Sequence, residues 1–442
     1  MIESFMAYST SNTHTVVRDA ASLTEAVQHT HVVIEVAGRL HDLEKFTLLE
    51  GSSLVGTTPD AELVFKPDSD GILLTANHTL QNLTLRTDSS RLALSLEPAM
   101  TTLGQLRLQH LVIHGRLHLE SSTVMTADLI LNDIQLYDSD STSDPHRPSG
   151  YGVEVAPGAL TIYNRCTDPK SHWTLSAENL SGGTQEMPLK GSGIFIFGGM
   201  TVLANADPQG RPAPSSPGGT IDLKLLTTGE IHTNGSIPAG VGNLITGGIF
   251  VGSGVKAQQV VNNGSVTTYG TNDMVLDNWG NVRLWLARQS VVSHGTSGIG
   301  FVNFGELQTL IIQGDLVTYG EGARGFNLYD GTLAYAEFKS ITTHGNGSIG
   351  IQTSKPFGNI LVLGDVITKG GRGNSLVRGV VVQLDAHALS LKPGTSGKEI
   401  IVLGQVEAQR EEVTALDFAA PASTVKFIMI GGQQYVDGSS TE

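Results

Sequence analysis

The sequence predicts an all-β fold, a parallel β-helix stacked from short coils as a solenoid, and three observations lead there. First, Gly270, Gly295, Gly320, Gly345 and Gly370 follow one another at gaps of 25 residues, each closing a short apolar-Thr-polar segment. The segments read VTTYG, VVSHG, LVTYG, ITTHG and VITKG, and an earlier copy, IHTNG, ends at Gly235, 35 residues before Gly270. A fixed period of this length marks one supersecondary unit stacked on its copies. Second, the 442 residues include 53 Gly, and hydrophobic residues make up 39%, a mixture that suits many short strands joined by tight turns. Third, each unit holds three strand-like segments, enough for one turn of a solenoid whose coils stack about 4.8 Å apart.

In chain order, residues 1–31 are expected to form an N-terminal cap. Ser22-Leu23-Thr24-Glu25 reads as a capping box that opens a short amphipathic helix through Val27. Met1 to Thr15 lacks a basic start followed by an apolar run, so no leader is expected. The cytoplasm is then the default location, with secretion open if the natural chain starts earlier. No stretch approaches the ~20 apolar residues of a membrane span, so no membrane partner is expected. Coils are expected over 32–420, with inserted loops near 137–148 and 205–219, and a C-terminal cap and tail over 421–442. Val425 to Ile430 (VKFIMI) reads as a last strand, and the whole chain as a single domain.

Within a coil, the first strand is the V-T-T-Y-G segment. Alternation places Thr233, Thr268, Ser293, Thr318, Thr343 and Thr368 in one inward column, expected to form a hydroxyl ladder in which each side chain satisfies the next. Asn234, Tyr269, His294, Tyr319, His344 and Lys369 form the outward column, expected to be solvated. The second strand follows the Gly and reads NDMVLDNWG, SGIGFVNFG, ARGFNLYDG and GSIGIQTS in successive coils, with Phe301 and Phe326 inward. The third is apolar again: VRLWLA, LQTLIIQG, LAYAEF and NILVLGD. Of the two inserted loops, YDSDSTSDPHRP is acidic and NADPQGRPAPSSPGG is rich in Pro, Gly and Ser. Asp138, Asp140 and Asp144 offer oxygen ligands for Ca²⁺, but the Gly bend and closing Glu of a calcium loop are missing, so a flexible surface loop is expected.

Composition excludes several functions. A net charge of −15 argues against binding a phosphate backbone, so no nucleic-acid partner is expected. The single Cys166 precludes an internal disulfide and reads as a small buried apolar residue. The Gly-rich runs precede strands rather than helices, so no nucleotide fingerprint is present. No cofactor and no metal are expected.

The N-terminal region resembles the pectate-lyase-like superfamily of right-handed parallel β-helix proteins. The likeness lies in SLTEAVQ leading into VVIEVAGRL, then FTLLEGSSLVGT, then HTLQNLTLRT, over roughly the first 90 residues. The resemblance implies a single right-handed parallel β-helix and a carbohydrate as substrate or ligand. Trp-Ile-Asp-His and Arg-x-Pro-x-x-Arg segments are absent, so no catalytic residue of the lyases carries over.

The repeat register singles out one stretch where carboxylates, amides and aromatics stack over neighbouring coils. It holds Asp277, Asn278 and Trp279, then Asn303, Phe304 and Glu306, then Asn327, Tyr329 and Asp330, with Asp273 and Arg324 just upstream. Aromatic faces and polar forks are what a sugar site requires. Carboxylates one coil apart would lie ~5 Å apart, near the separation of retaining glycosidases, and two coils apart ~10 Å. The expectation is a carbohydrate-active enzyme (hydrolase, lyase or transglycosylase). Asp277, Glu306 and Asp330 are the candidate catalytic acids, and Asp273, Asn278, Trp279, Asn303, Arg324, Asn327 and Tyr329 the candidate substrate contacts. Stacked Asn278 and Asn303, and the Asp330-Gly331 turn, also suit plain turn chemistry. A non-catalytic saccharide-binding or adhesion solenoid is the alternative, as is a tailspike-like trimer. Flat faces leave a homo-oligomer, dimer or trimer, open.

Overall fold

The computed structural model describes residues 13–199, 201–202, 215–238, 240–377, 379–419, 424–436 and 439–440. Parts of the expected cap (1–12), of the loop near 205–219 (203–214) and of the tail (437–438, 441–442) lie outside the described residues. Strands dominate, in two long sheets paired almost wholly in parallel, the arrangement of a β-solenoid. The first sheet takes two strands from a typical coil and the second takes one. In one coil Val266–Thr268 and Asn281–Ala287 join the first sheet, and Asp273–Asn278 joins the second. No helix among the described residues is long and apolar enough to cross a membrane.

The 25-residue gaps are pairing offsets. Val266 pairs Val291, Val291 pairs Leu316, Leu316 pairs Ile341, and Ile341 pairs Val366. The longer gap to Gly235 arises because Ile231 pairs Val266 while extra residues from Ser236 to Asn243 leave the stack. A further insertion was not legible as one: Gly373–Val377 and Val380–Leu384 form an antiparallel hairpin, so Val366 next pairs Val406.

The landmark glycines have a steric cause. A Cβ on Gly295 would collide with the carbonyl oxygen of Gly270, and Gly320, Gly345 and Gly370 repeat the collision with the glycine one coil earlier. At this corner the backbones pass too closely for any side chain. Gly280, Gly305 and Gly331 form a second such column, at the corner after the second-sheet strand.

Between the sheets lies a continuous apolar core. One inner column runs Ile249, Leu276, Phe301, Phe326 and Ile351, all fully buried. Trp285 packs edge-on to Phe301 and donates its indole N–H to Asn262 Oδ1 at 2.9 Å. Cys166 is buried, as its composition reading expects.

Three local expectations change. The helix spans Ala20–Ala26, and its N-cap is Asp19, whose carboxylate accepts from Ser22 N–H; Ser22 is the returning partner of the box rather than its start. The Thr/Ser column is buried and in register, but it is not a ladder of mutual bonds. Only Thr268 and Ser293 approach, at 3.5 Å, and the hydroxyls of Thr233, Thr318 and Thr343 have no partner. Strands ~4.8 Å apart hold like atoms beyond hydrogen-bond reach unless the side chains tilt toward each other. The acidic loop is not a solvated one: Ser139, Ser141 and Asp144 are buried. Asp138 turns to His114 and Asp140 to Thr142, so the three aspartates diverge. At the C-terminal end Thr424–Ile430 adds the expected strand, and Gln433–Val436 folds back on it antiparallel.

The outward column stacks its rings. Tyr269, His294, Tyr319 and His344 lie with centroids 5.2, 4.9 and 4.5 Å apart. Burial between the rings lowers the pKa of His294 below its ordinary value. Tyr319→Ala is expected to raise that pKa toward ~6.5, as followed by NMR titration of the ring protons. Gly320→Ala should lower stability by about 1–3 kcal/mol or more. In Gly229→Ala the new methyl meets Ser181 Cβ at 3.5 Å and the Leu180 carbonyl oxygen at 3.9 Å, both ordinary contacts, and the change should be near neutral; thermal unfolding of the two variants checks the contrast.

Candidate functional site

The three candidate acids do not meet. Asp277 lies on the second sheet between Phe250 and Val302, is fully buried, and has no hydrogen-bond partner on either oxygen. The Trp279 indole comes near without reaching hydrogen-bond geometry. Burial therefore raises the Asp277 pKa well above the ordinary carboxylate value. Glu306 starts the strand Glu306–Thr318 of the first sheet, opposite Asn281, and is exposed. Asp330 sits in its turn, accepts from Gly331 N–H at 2.8 Å, and pairs with Lys355 at 3.1 Å. The cause is the corner at Phe304 and Gly305, which carries the chain from one sheet to the other between Asn303 and Glu306.

The candidate substrate contacts divide. Asp273 is fully buried and accepts from Gly235 N–H at 3.0 Å, Gly270 N–H at 2.8 Å and the Thr246 hydroxyl. Burial pushes it up to about 6 against those bonds. It ties two coils together at the glycine corner. Asn278 donates to Asn303 Oδ1 at 2.8 Å inside the second corner, the amide stack of the turn reading. Trp279 packs into an aromatic cluster with Phe250, Phe304 and Tyr151. Arg324, Asn327 and Tyr329 do come together, on the wall of a cavity of about 1030 Å³. Its floor is the outer face of the second sheet, and the hairpin residues Leu376, Val382 and Leu384 line the side toward the insertion.

A second hollow, about 510 Å³, lies on the same sheet face nearer the N-terminus. Arg116, His118 and Glu120 occupy alternate positions of the strand Arg116–Ser121, so all three point the same way. The acidic loop brings Asp144 and His146 onto them, and Arg165 follows the strand Gly158–Asn164. Arg116 pairs with Asp144. Glu120 is hydrogen-bonded to His118 Nε2 at 3.0 Å, and lies at ion-pair distance from His146 Nδ1, 2.6 Å, and from Arg165 Nε, 3.1 Å. Ligating atoms of Glu120, Asp144 and His146 all lie within 4.8 Å of one another. Burial pushes the Asp144 carboxyl up, but Arg116 and His118 outweigh it and hold the pKa below the usual value. Arg116 and Arg165 already supply the positive charge that a metal cation would bring.

The segment RLHLE, with three ionisable residues at alternate positions between apolar ones, is the signal that could have found this cleft. In a solenoid strand such alternation puts all three charges on one outer face. Sequence reading passed over it because Asp144 and His146 arrive from a loop outside the repeat.

Asp277 supplies a pH test. A carboxyl whose folded pKa exceeds its unfolded value favours folding below the unfolded pKa, near 3.9, and loses that contribution as pH rises. Each unit of upward shift is worth about 1.4 kcal/mol at neutral pH. Asp277→Asn is therefore expected to unfold at a higher temperature than the parent at neutral pH and close to it at acid pH. Calorimetry at the two pH values checks this, and equal effects at both would count against an ionisation penalty. Compared with known family models, curated proteins and solved structures, the chain matches none, so no relative assigns a role to either hollow.

Proposed function

We propose that the protein is a carbohydrate-active enzyme that cleaves or transfers a glycosidic bond in the charged cleft. The observation that carries the reading is the approach of Glu120, Asp144 and His146 to within 4.8 Å inside a hollow flanked by arginines. Two carboxyl groups about 5–5.5 Å apart are the geometry of retaining glycosidases. Asp144, held ionised by Arg116, is suited to face the positive charge that develops on a sugar ring. His146, gripped by Glu120 and half-exposed, is suited to deliver the proton to the departing oxygen. Arg165 and Arg91 offer forks for hydroxyl groups. The reading also takes the chain as a single right-handed parallel β-helix of the pectate-lyase-like superfamily, on the strength of its N-terminal strand order.

A second reading, a saccharide-binding module without catalysis, is favoured by one observation. Both carboxylates already carry ion pairs, Asp144 with Arg116 and Glu120 with Arg165. Incubation with a panel of oligo- and polysaccharides, followed by chromatography, separates the two: products mean an enzyme, and saturable binding without products means a module. On a substrate so found, Glu120→Gln and Asp144→Asn should each lower turnover by about 10²–10⁴-fold, while Asp277→Asn should leave it unchanged. Full turnover in both cleft variants would sink the assignment.

A further inference from the structure

The cavity between the second sheet and the hairpin shares no lining residue with the charged cleft, and its chemistry is different. Most of its wall is apolar: Ile299, Val302 and Phe304 from the sheet face Leu376, Val382 and Leu384 from the hairpin. Tyr151, Phe304 and Tyr329 stack along one side, with centroids 4.6 and 4.9 Å apart. No carboxylate lines it among the described residues, although the chain as a whole carries a net charge of −15.

Among the described residues three cations line the cavity, and two are neutralised from outside it. Lys355 pairs with Asp330 at 3.1 Å, and Lys392 pairs with Asp417 at 2.7 Å. The third, Arg324, is only 4% exposed. Its guanidinium donates to Gln352 Oε1 at 3.2 Å and to the Gly322 carbonyl at 3.3 Å. Both acceptors are neutral, and among the described residues no carboxylate couples to it. Burial draws its pKa down to about 10, so it still carries its charge at neutral pH. A buried, charged guanidinium with only neutral partners is costly, and a fold keeps one where a counter-charge arrives from elsewhere. Gln352 holds the group in place and is itself bonded to Asn327 Oδ1 at 3.4 Å.

We propose that this cavity binds a small amphipathic monocarboxylate, its acid group on Arg324 and its apolar or aromatic body against the ring stack and the hairpin. The volume is close to the upper end of the roughly 300–1,000 Å³ of ordinary ligand sites. Among the described residues one positive charge in the lining lacks an acidic partner, which balances one negative charge. A phosphate, at about −1.5 to −2, would exceed it. A planar guanidinium matches the two oxygens of a carboxylate as a fork.

The test is calorimetric titration of the full chain at neutral pH with naphthalene-2-acetic, cinnamic and decanoic acids, each beside its primary amide. At least one acid is expected to bind, with its amide weaker by on the order of 10²-fold. Arg324→Gln should abolish that preference while the variant stays folded by circular dichroism. Val382→Trp, which fills the cavity from the hairpin and leaves Arg324 in place, should abolish binding of acid and amide alike. The proposal is overturned if no acid binds, if acid and amide bind equally, if the preference survives Arg324→Gln, or if Val382→Trp binds normally. Glycan turnover in the charged cleft is a separate measurement, and its outcome leaves this one unchanged.

Discussion

Backbone crowding at the glycine corners governs this molecule. Where Gly295, Gly320, Gly345 and Gly370 stack above Gly270, a Cβ on each would run into the carbonyl oxygen of the glycine one coil earlier. That contact admits no side chain, so it locks the corner of every coil to the corner below. Once the corners are locked, each residue acquires a fixed neighbour one coil away. The apolar columns, the amide pair Asn278–Asn303 and the outer ring stack all follow from that alignment. The hydrophobic effect supplies most of the stabilisation, but it is non-directional and resists only those slips that expose the apolar face. The glycine contact is what makes a slip by one residue sterically impossible, and a one-residue slip would turn every apolar column outward.

The strands were legible because period and composition agree over five coils. The inward placement of Phe301 and Phe326, the buried Cys166 and the last strand at Val425 to Ile430 followed from alternation and residue type alone. The hydroxyl ladder failed for a reason of length, since side chains one strand apart need a tilt to bond and Thr rotamers here do not supply it. The carboxylate wall failed for a reason of direction. Counting from the landmark Gly treats Asp277 and Glu306 as neighbours, yet one corner lies between their positions in the coil and sends them to different sheets. Of the residues chosen for sugar contact, only Arg324, Asn327 and Tyr329 share a cavity. Both hollows depend on segments outside the repeat, Asp144 to His146 for one and the hairpin for the other. No periodicity places such segments.

The two hollows differ electrostatically although they share one sheet face. In the cleft, opposite charges are matched within it: Arg116 with Asp144, and Glu120 with Arg165 and two imidazoles. In the cavity the lysines are matched by acids outside its lining, and among the described residues Arg324 has only neutral partners. Between them lies an apolar patch of Phe195, Phe197, Phe250 and Trp279, beside the buried acid Asp277.

The hairpin insertion has a consequence for how such a chain diversifies. Val366 pairs Val406 in the same column that Ile341 and Val366 share, although the chain between them is 15 residues longer than a plain coil (406 − 366 against 366 − 341). The detour from Ser236 to Asn243 likewise leaves Ile231 opposite Val266. Chain length at this corner is therefore decoupled from the order of the stack. An insertion at the corner therefore adds to the outer sheet face and leaves the pairing of the scaffold in place. The repeat acts as a rail, and the corner as a port that admits extra segments without changing the order of the coils.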